Sequence, residues 1–303
     1  MKLGFYPGCS LKGGSPEYRI STFNVAEKFG VELVEIPDWN CCGATAAHNM
    51  DKELSLSLPG RILALAEAAG LNEIVVPCAA CYSRLTVTNH ELAEDTQLRE
   101  NISTIIGMKY EGNVKILNII QFLDKYVLPH VEEKVVKKFN HDVACYYGCL
   151  LVRPHNILKF DREENPQTMD NVITKIGGNP IDWAFKTECC GAGLSVSRTD
   201  LVGKLSGKLM IDALDRGAEA IIVACPMCHS NLDMRRSAIN KYMNRESEIP
   251  VIYITQAVGL AIGLSEKEVG FQYHMVKVKL KEKPITENLV VKKVVQTEPT
   301  EEK

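Results

Sequence analysis

Ten of the eleven cysteines in this 303-residue chain fall into two copies of one spacing pattern. The first copy reads Cys9, 31 residues, Cys41-Cys42, 35 residues, then Cys78-x-x-Cys81. The second reads Cys149, 39 residues, Cys189-Cys190, 34 residues, then Cys225-x-x-Cys228. A true duplication extends between the cysteines as well, and this one does. Tyr6-Pro7-Gly8-Cys9 returns as Tyr146-Tyr147-Gly148-Cys149, and Cys41-Cys42-Gly43-Ala44 as Cys189-Cys190-Gly191-Ala192. The run from Gly70 to Cys78 matches Gly217 to Cys225, and Ile119-Ile120-Gln121 matches Ile254-Thr255-Gln256. The same alignment sets Cys145 opposite Phe5, which makes Cys145 a small buried hydrophobe and not a ligand.

Between the cysteines the pattern alternates strands and helices. Residues 2–6, 31–36, 73–77 and 114–119 read as short strands rich in Val, Ile and Leu. Ser15-Pro16-Glu17 reads as an N-cap, a first-turn proline and a first-turn acid, and Gly30 stands where a helix ends. In the second copy Asn165-Pro166 opens a helix with Met169, Val172, Ile173 and Ile176 on one face, ended by Gly177. This alternation predicts an α/β fold of two tandem domains related by a pseudo-twofold, each with a mostly parallel sheet flanked by helices. The domains are expected at 1–135 and 136–265, with 124–140 a helix-prone connection. Residues 266–303 are expected to be a docking arm or disordered tail. The cysteines then lie in loops at strand ends, where open α/β sheets place ligands.

Composition excludes several classes. With 35 Lys+Arg against 38 Asp+Glu the net charge is −3, which gives no footprint for nucleic acid or an anionic membrane. The weakly polar stretch 249–264 contains Pro250, Thr255, Gln256 and two glycines, and falls short of the roughly 20 apolar residues a membrane helix needs. Met1 to Phe5 runs directly into a strand, with no signal-peptide pattern. The expected location is cytoplasmic, where thiols are rarely stored as structural disulfides.

Five thiols per copy exceed the four that zinc or a cubane cluster takes. The glycine after each Cys-Cys pair permits a tight turn that could bring both sulfurs to one site. Structural disulfides, a thioredoxin-like pair at Cys78/Cys81 or Cys225/Cys228, and zinc in one or both copies remain alternatives. An iron–sulfur centre uses the whole array.

On these motifs, and on Phe160-Asp161-x-Glu-x-Asn165-Pro166, the chain resembles the B-subunit family of the heterodisulfide reductases of methanogenic archaea, with its twin cysteine-rich CCG domains. The resemblance covers residues 1–265. It implies two noncubane [4Fe-4S] clusters, held by Cys9, Cys41, Cys42, Cys78 and Cys81, and by Cys149, Cys189, Cys190, Cys225 and Cys228. It implies reduction of the mixed disulfide of coenzyme M and coenzyme B to two thiols, with the clusters as the catalytic groups and no protein nucleophile. The implied partners are the ferredoxin-like iron–sulfur C subunit and the flavin-bearing A subunit of heterodisulfide reductase, with a hydrogenase or formate dehydrogenase upstream. The 34-residue gap before Cys225 is slightly short for the motif. An anionic substrate calls for cations, and Lys12, Arg84, Arg153 and His229 lie nearest the cysteines in sequence. Trp39 and Trp183, each preceding a Cys-Cys pair, read as core residues. Two rival readings are an electron-relay iron–sulfur subunit of a hydroxyacid or glycerol-phosphate dehydrogenase, and a zinc-binding structural scaffold.

Overall fold

The apolar runs between turn residues become strands of two parallel sheets. The computed structural model describes residues 1–44 and 46–281. The first half runs β1 (Lys2–Phe5), α1 (Gly8–Gly13), α2 (Pro16–Lys28), β2 (Glu32–Glu35), α3 (Lys52–Ala68), β3 (Glu73–Val76), α4 (Ala79–Glu94), α5 (Thr96–Ile106) and β4 (Lys115–Asn118). Helix α6 (Leu128–Lys134) leads into the second half. That half comprises β5 (Asp142–Tyr146), α7 (Thr168–Lys175), β6 (Asn179–Pro180), α8 (Thr199–Asp215), β7 (Ala220–Val223), α9 (Pro226–Met234), α10 (Arg236–Met243), β8 (Val251–Tyr253) and α11 (Ile254–Ala261). Shorter helical turns join several of these elements.

The sheets share one topology, β2-β1-β3-β4 and β6-β5-β7-β8, with every pairing parallel. β7 is buried at each position, as a strand covered on both faces must be. Strand order reverses at the β1/β3 and β5/β7 neighbours, and the crevice beyond the carboxyl ends there is where open α/β sheets bind ligands. Each set of five cysteines follows three strands that surround such a crevice: β1, β2 and β3, or β5, β6 and β7. Cys145 lies inside β5, opposite Ile222 of β7, and is fully buried.

Local signals hold with two differences. Pro16 starts α2, but the Ser15 hydroxyl makes no capping bond. Helix α7 begins at Thr168 and not at Asn165, because the Asp161 carboxylate accepts from the Gln167 and Thr168 amides at 2.9 and 2.7 Å and fixes the first turn there. The connection at 124–140 is helical through Lys134, and then the Val136 amide donates to the Ala261 carbonyl at 2.9 Å.

The two halves share one continuous apolar core. Tyr18 of α2 stacks on Tyr253 at 3.8 Å between ring centroids and donates to the Ala224 carbonyl at 2.9 Å. The Ser21 and Thr255 hydroxyls meet at 2.7 Å. The first part of the segment expected as an arm or tail is packed: Val269 is fully buried and its carbonyl accepts from Gln256 Nε2 at 2.8 Å, while Asn24 Nδ2 donates to the Glu268 carbonyl at 2.7 Å. The rest of that segment, 282–303, lies outside the described residues. No helix among the described residues is long and apolar enough to cross a membrane.

Candidate functional site

All eleven cysteines are free thiols, so the disulfide alternative finds no bridge. The duplicated pattern folds into two equivalent sulfur clusters. In the first, Cys42 and Cys81 sulfurs lie 3.2 Å apart, and Cys81 also meets Cys78 while Cys41 meets Cys9. In the second, Cys190 and Cys228 lie 3.7 Å apart, Cys228 meets Cys225, and Cys149 meets Cys189. Cys42, Cys78, Cys81, Cys190, Cys225 and Cys228 form buried floors, whereas Cys9, Cys41 and Cys189 are exposed at the rims. The two sets adjoin. Cys78 and Cys225, the first cysteines of the two C-x-x-C motifs, are near enough across the boundary between the halves that each shifts the other's proton affinity, Cys78 upward and Cys225 downward.

Glycines make the crowding possible. Gly8 and Gly148 hold φ of +62° and +73°, and a Cβ at either would sit 3.1 or 3.0 Å from the Cys81 or Cys228 sulfur. Gly43 and Gly191, directly after the Cys-Cys pairs, take φ of +73° and +82°. These are left-handed conformations that cost an L-residue with a side chain about 1–2 kcal/mol. Adjacent side chains on a regular strand would diverge, and the turn at each glycine takes Cys-Cys off strand geometry.

Each loop is tied down by a tyrosine that the repeat contains but that no ligand motif singles out. Tyr6 donates to the Asn40 carbonyl at 2.8 Å and Tyr146 to the Glu188 carbonyl at 2.6 Å, in both cases the residue just before Cys-Cys. Burial, with the nearby thiols adding to it, pushes both phenols far up, so they stay neutral donors. Trp39 and Trp183 pack edge-on against these tyrosines. Asn231 donates to the Cys190 carbonyl at 3.0 Å and approaches its sulfur at 3.7 Å.

Within each close pair of thiols the proton is shared unequally. A hydrogen bond from Cys81, opposed by burial, draws Cys42 down to about 7, while Cys81 is pushed well up. A hydrogen bond from Cys149 likewise draws Cys189 down to about 6, and Cys149 is pushed up. Thiols that ionise this readily suit soft metal centres.

The four cations separate. Arg84, on α4 three residues beyond Cys81, is half-buried, lends positive potential to Cys42 and has no carboxylate partner among the described residues. Lys12 is exposed and 3.6 Å from Glu35. Arg153 donates to the Thr187 carbonyl at 3.2 Å and faces Glu163 and Glu164 at 3.9 and 3.7 Å. His229 is buried against groups other than sulfur: Nε2 meets the Val251 carbonyl at 3.1 Å, and Nδ1 faces Glu17 at 4.0 Å.

Residues 3–86 and 143–233 each match the CCG cysteine-rich domain. The chain belongs to the CCG family. It is 30% identical over 283 residues to the B subunit of the ferredoxin/F420H2-dependent CoB-CoM heterodisulfide reductase of Methanosarcina acetivorans, covering 91% of this chain and 94% of that protein. It is 28% identical over 279 residues to the membrane anchor subunit of the 8-methylmenaquinol:fumarate reductase of Wolinella succinogenes, covering 91% and 97%. The crystal structure of a hypothetical protein from Helicobacter pylori superposes with a TM-score of 0.74 at 13% identity over 92% of this chain. This CCG chain spans about half, 52%, of that protein's length, and the likeness is one of fold. With its two CCG segments, it is a protein of the heterodisulfide reductase B-subunit type.

Proposed function

We propose that this CCG protein is the catalytic iron–sulfur subunit of a heterodisulfide reductase, converting the coenzyme M–coenzyme B disulfide to two thiols. The observation that carries this reading is the nearness of Cys78 and Cys225, which sets the two five-thiol sets side by side between the halves. The reaction is R–S–S–R′ + 2 e⁻ + 2 H⁺ → R–SH + R′–SH. A noncubane [4Fe-4S] cluster in each set would supply one electron, so that two adjoining sites match a two-electron bond cleavage. The donor chemistry fits such a group: five thiols per set, lowered proton affinity at Cys42 and Cys189, and glycines at the points of closest approach. Cys9, Cys41, Cys42, Cys78 and Cys81 would hold the first cluster, and Cys149, Cys189, Cys190, Cys225 and Cys228 the second.

The chain's own residues then do three things. The tyrosine–carbonyl bonds of Tyr6 and Tyr146 hold the Cys-Cys loops in place. The buried cysteines keep water from the inner face of each set, and the exposed ones leave an open side for substrate. Arg84, uncommitted to any carboxylate among the described residues, is suited to an anionic group on that substrate. We give it this role ahead of Lys12, Arg153 and His229, whose charges or ring nitrogens are otherwise engaged. Electrons would arrive from iron–sulfur and flavin-bearing partner proteins, in the cytoplasm.

A second reading has an observation of its own. Similarity to the fumarate reductase protein over 97% of its length favours a relay that passes electrons between a quinol and a partner enzyme. The two readings separate on anaerobically purified protein. The catalytic reading expects about four iron and four sulfide per cluster, two clusters per chain, and reduction of the heterodisulfide by a reduced viologen. Cys42→Ser and Cys190→Ser should each remove one cluster's iron and abolish turnover. A fully loaded protein that leaves the disulfide intact yet exchanges electrons with a menaquinol analogue would replace the first reading by the second.

A further inference from the structure

A second set of ligating side chains lies apart from the sulfurs, where α2, α9 and the segment after α11 meet. His229 and Asp233 sit four residues apart on α9 and therefore share a face. His274 approaches them from the segment following the helical turn Phe271–Tyr273. One ligand atom from each of His229, Asp233 and His274 lies within 4.8 Å of the others. The Glu17 carboxylate of α2 is 4.0 Å from His229 Nδ1. A crevice of about 70 Å³ opens beside them, lined in part by Glu17, His229, Asp233, Tyr273 and Met275.

Charge balance is the unusual feature. Glu17 and Asp233 are 3% and 1% exposed, yet among the described residues neither has a lysine or arginine in ion-pair contact. Arg236, the nearby cation, spends its guanidinium on the Leu232, Ser247 and Ile249 carbonyls at 3.2, 3.1 and 2.9 Å. Asp233 accepts instead from the Met275 and Val276 amides at 2.8 and 3.2 Å. Buried carboxylates are retained where they are paired or bind a metal.

Each imidazole has one nitrogen held by a neighbouring protein group. A carbonyl only accepts, so His229 Nε2 carries its proton toward Val251, and Nδ1 presents a lone pair toward Glu17. Gln256 Oε1 lies 3.1 Å from His274 Nε2 and can accept its proton, and His274 Nδ1 lies 3.3 Å from His229 Nε2. A carbonyl or amide behind the ligating ring is the usual support of a metal-bound histidine.

We propose that His229, Asp233 and His274, with Glu17 completing the set, bind one zinc-class divalent ion, separate from the cysteine centres, that staples the C-terminal segment to both halves of the fold. Two nitrogens and one or two carboxylate oxygens suit zinc, with nitrogen and oxygen at about 2.0–2.2 Å. The site reads as structural because its ligands come from three separate segments and it stands at the root of α9, which also carries Cys228.

The test uses the full chain, purified anaerobically with its iron in place and dialysed against buffered zinc. One zinc per chain beyond the iron is expected, with only nitrogen and oxygen neighbours in the zinc X-ray absorption spectrum. His274→Ala, and separately the near-isosteric Asp233→Asn, should weaken that zinc at least 10-fold while iron and sulfide stay unchanged. Zinc should slow tryptic cleavage after Lys277 in the wild type and leave His274→Ala unaffected. Zinc found only with sulfur neighbours near 2.3 Å, or a nitrogen/oxygen zinc retained in both folded variants, overturns the proposal.

Discussion

Replacing Lys186 by Met strands a buried carboxylate next to the second cysteine loop. The Lys186 ammonium is 2.7 Å from Asp170 Oδ1, with side chains 3% and 9% exposed, and it also donates to the Pro166 carbonyl at 3.1 Å. Tyr147 closes the network by donating to Asp170 Oδ2 at 2.7 Å and accepting from the Met169 amide at 2.7 Å. Removing one partner of such a pair costs about 3–5 kcal/mol, because the remaining charge has neither water nor a counterion. At about 2–4 °C per kcal/mol for a protein of this size, the melting temperature should fall by roughly 10 °C. Burial already pushes the Asp170 carboxyl up, outweighing the lysine, and loss of the lysine raises it further. A raised folded-state pKa contributes stability at low pH that is lost as pH rises through it. The deficit of Lys186→Met should therefore be larger at pH 8 than at pH 5. Adding Asp170→Asn removes the stranded charge and should recover at least half of the loss at pH 8. The effect should reach the site, because the Lys186 carbonyl holds the Tyr147 and Gly148 amides at 2.9 and 3.1 Å, just before Cys149. Circular-dichroism melts and iron content of the anaerobic protein measure both. A melting point lowered by less than about 2 °C, or no recovery in the double variant, would refute the reasoning.

Two further outcomes follow from single positions. Gly148→Ala places a methyl 3.0 Å from the Cys228 sulfur at φ +73°, so iron per chain should fall by about half with the first site intact; full iron content would contradict the packing described. Glu73 is held below the usual carboxylate range by Lys125, at 2.8 Å, and by Tyr126 and Lys115, against the opposing pull of burial. A depressed pKa contributes stability above the unfolded value of about 4.3, lost as pH falls through the folded one. Glu73→Gln should accordingly cost up to about 1 kcal/mol at neutral pH and nothing at pH 2–3, as read from urea midpoints across pH.

What could be read in the sequence was whatever repeats or lies close along the chain. Strands at 2–6 and 73–77 were legible as apolar runs between turn residues, and they form at Lys2–Phe5 and Glu73–Val76. Cys145 was separable from the other ten because its counterpart is Phe5, and it is buried in β5 with its carbonyl accepting from Trp183 Nε1 at 3.1 Å. Tertiary partners were not legible. Arg153 meets acids ten and eleven residues downstream, and Lys12 meets Glu35 across a helix and a strand. His229 adjoins Cys228 in sequence, but one residue along a helix turns the side chain by about 100°, enough to carry it from the sulfurs to Glu17 and His274. The contact that matters most to the functional reading was hidden for the same reason. A duplication says that two sites are equivalent; it does not say where the axis relating them passes. In this fold the halves adjoin beside the first cysteine of each C-x-x-C motif, where Tyr18 of one half caps the Ala224 carbonyl of the other, one residue before Cys225. Had the halves packed through the opposite ends of their sheets, the same ten cysteines would form two remote centres suited to relaying single electrons. Because Cys78 and Cys225 adjoin, the two five-thiol sets lie side by side, and it is on this nearness that the catalytic reading rests.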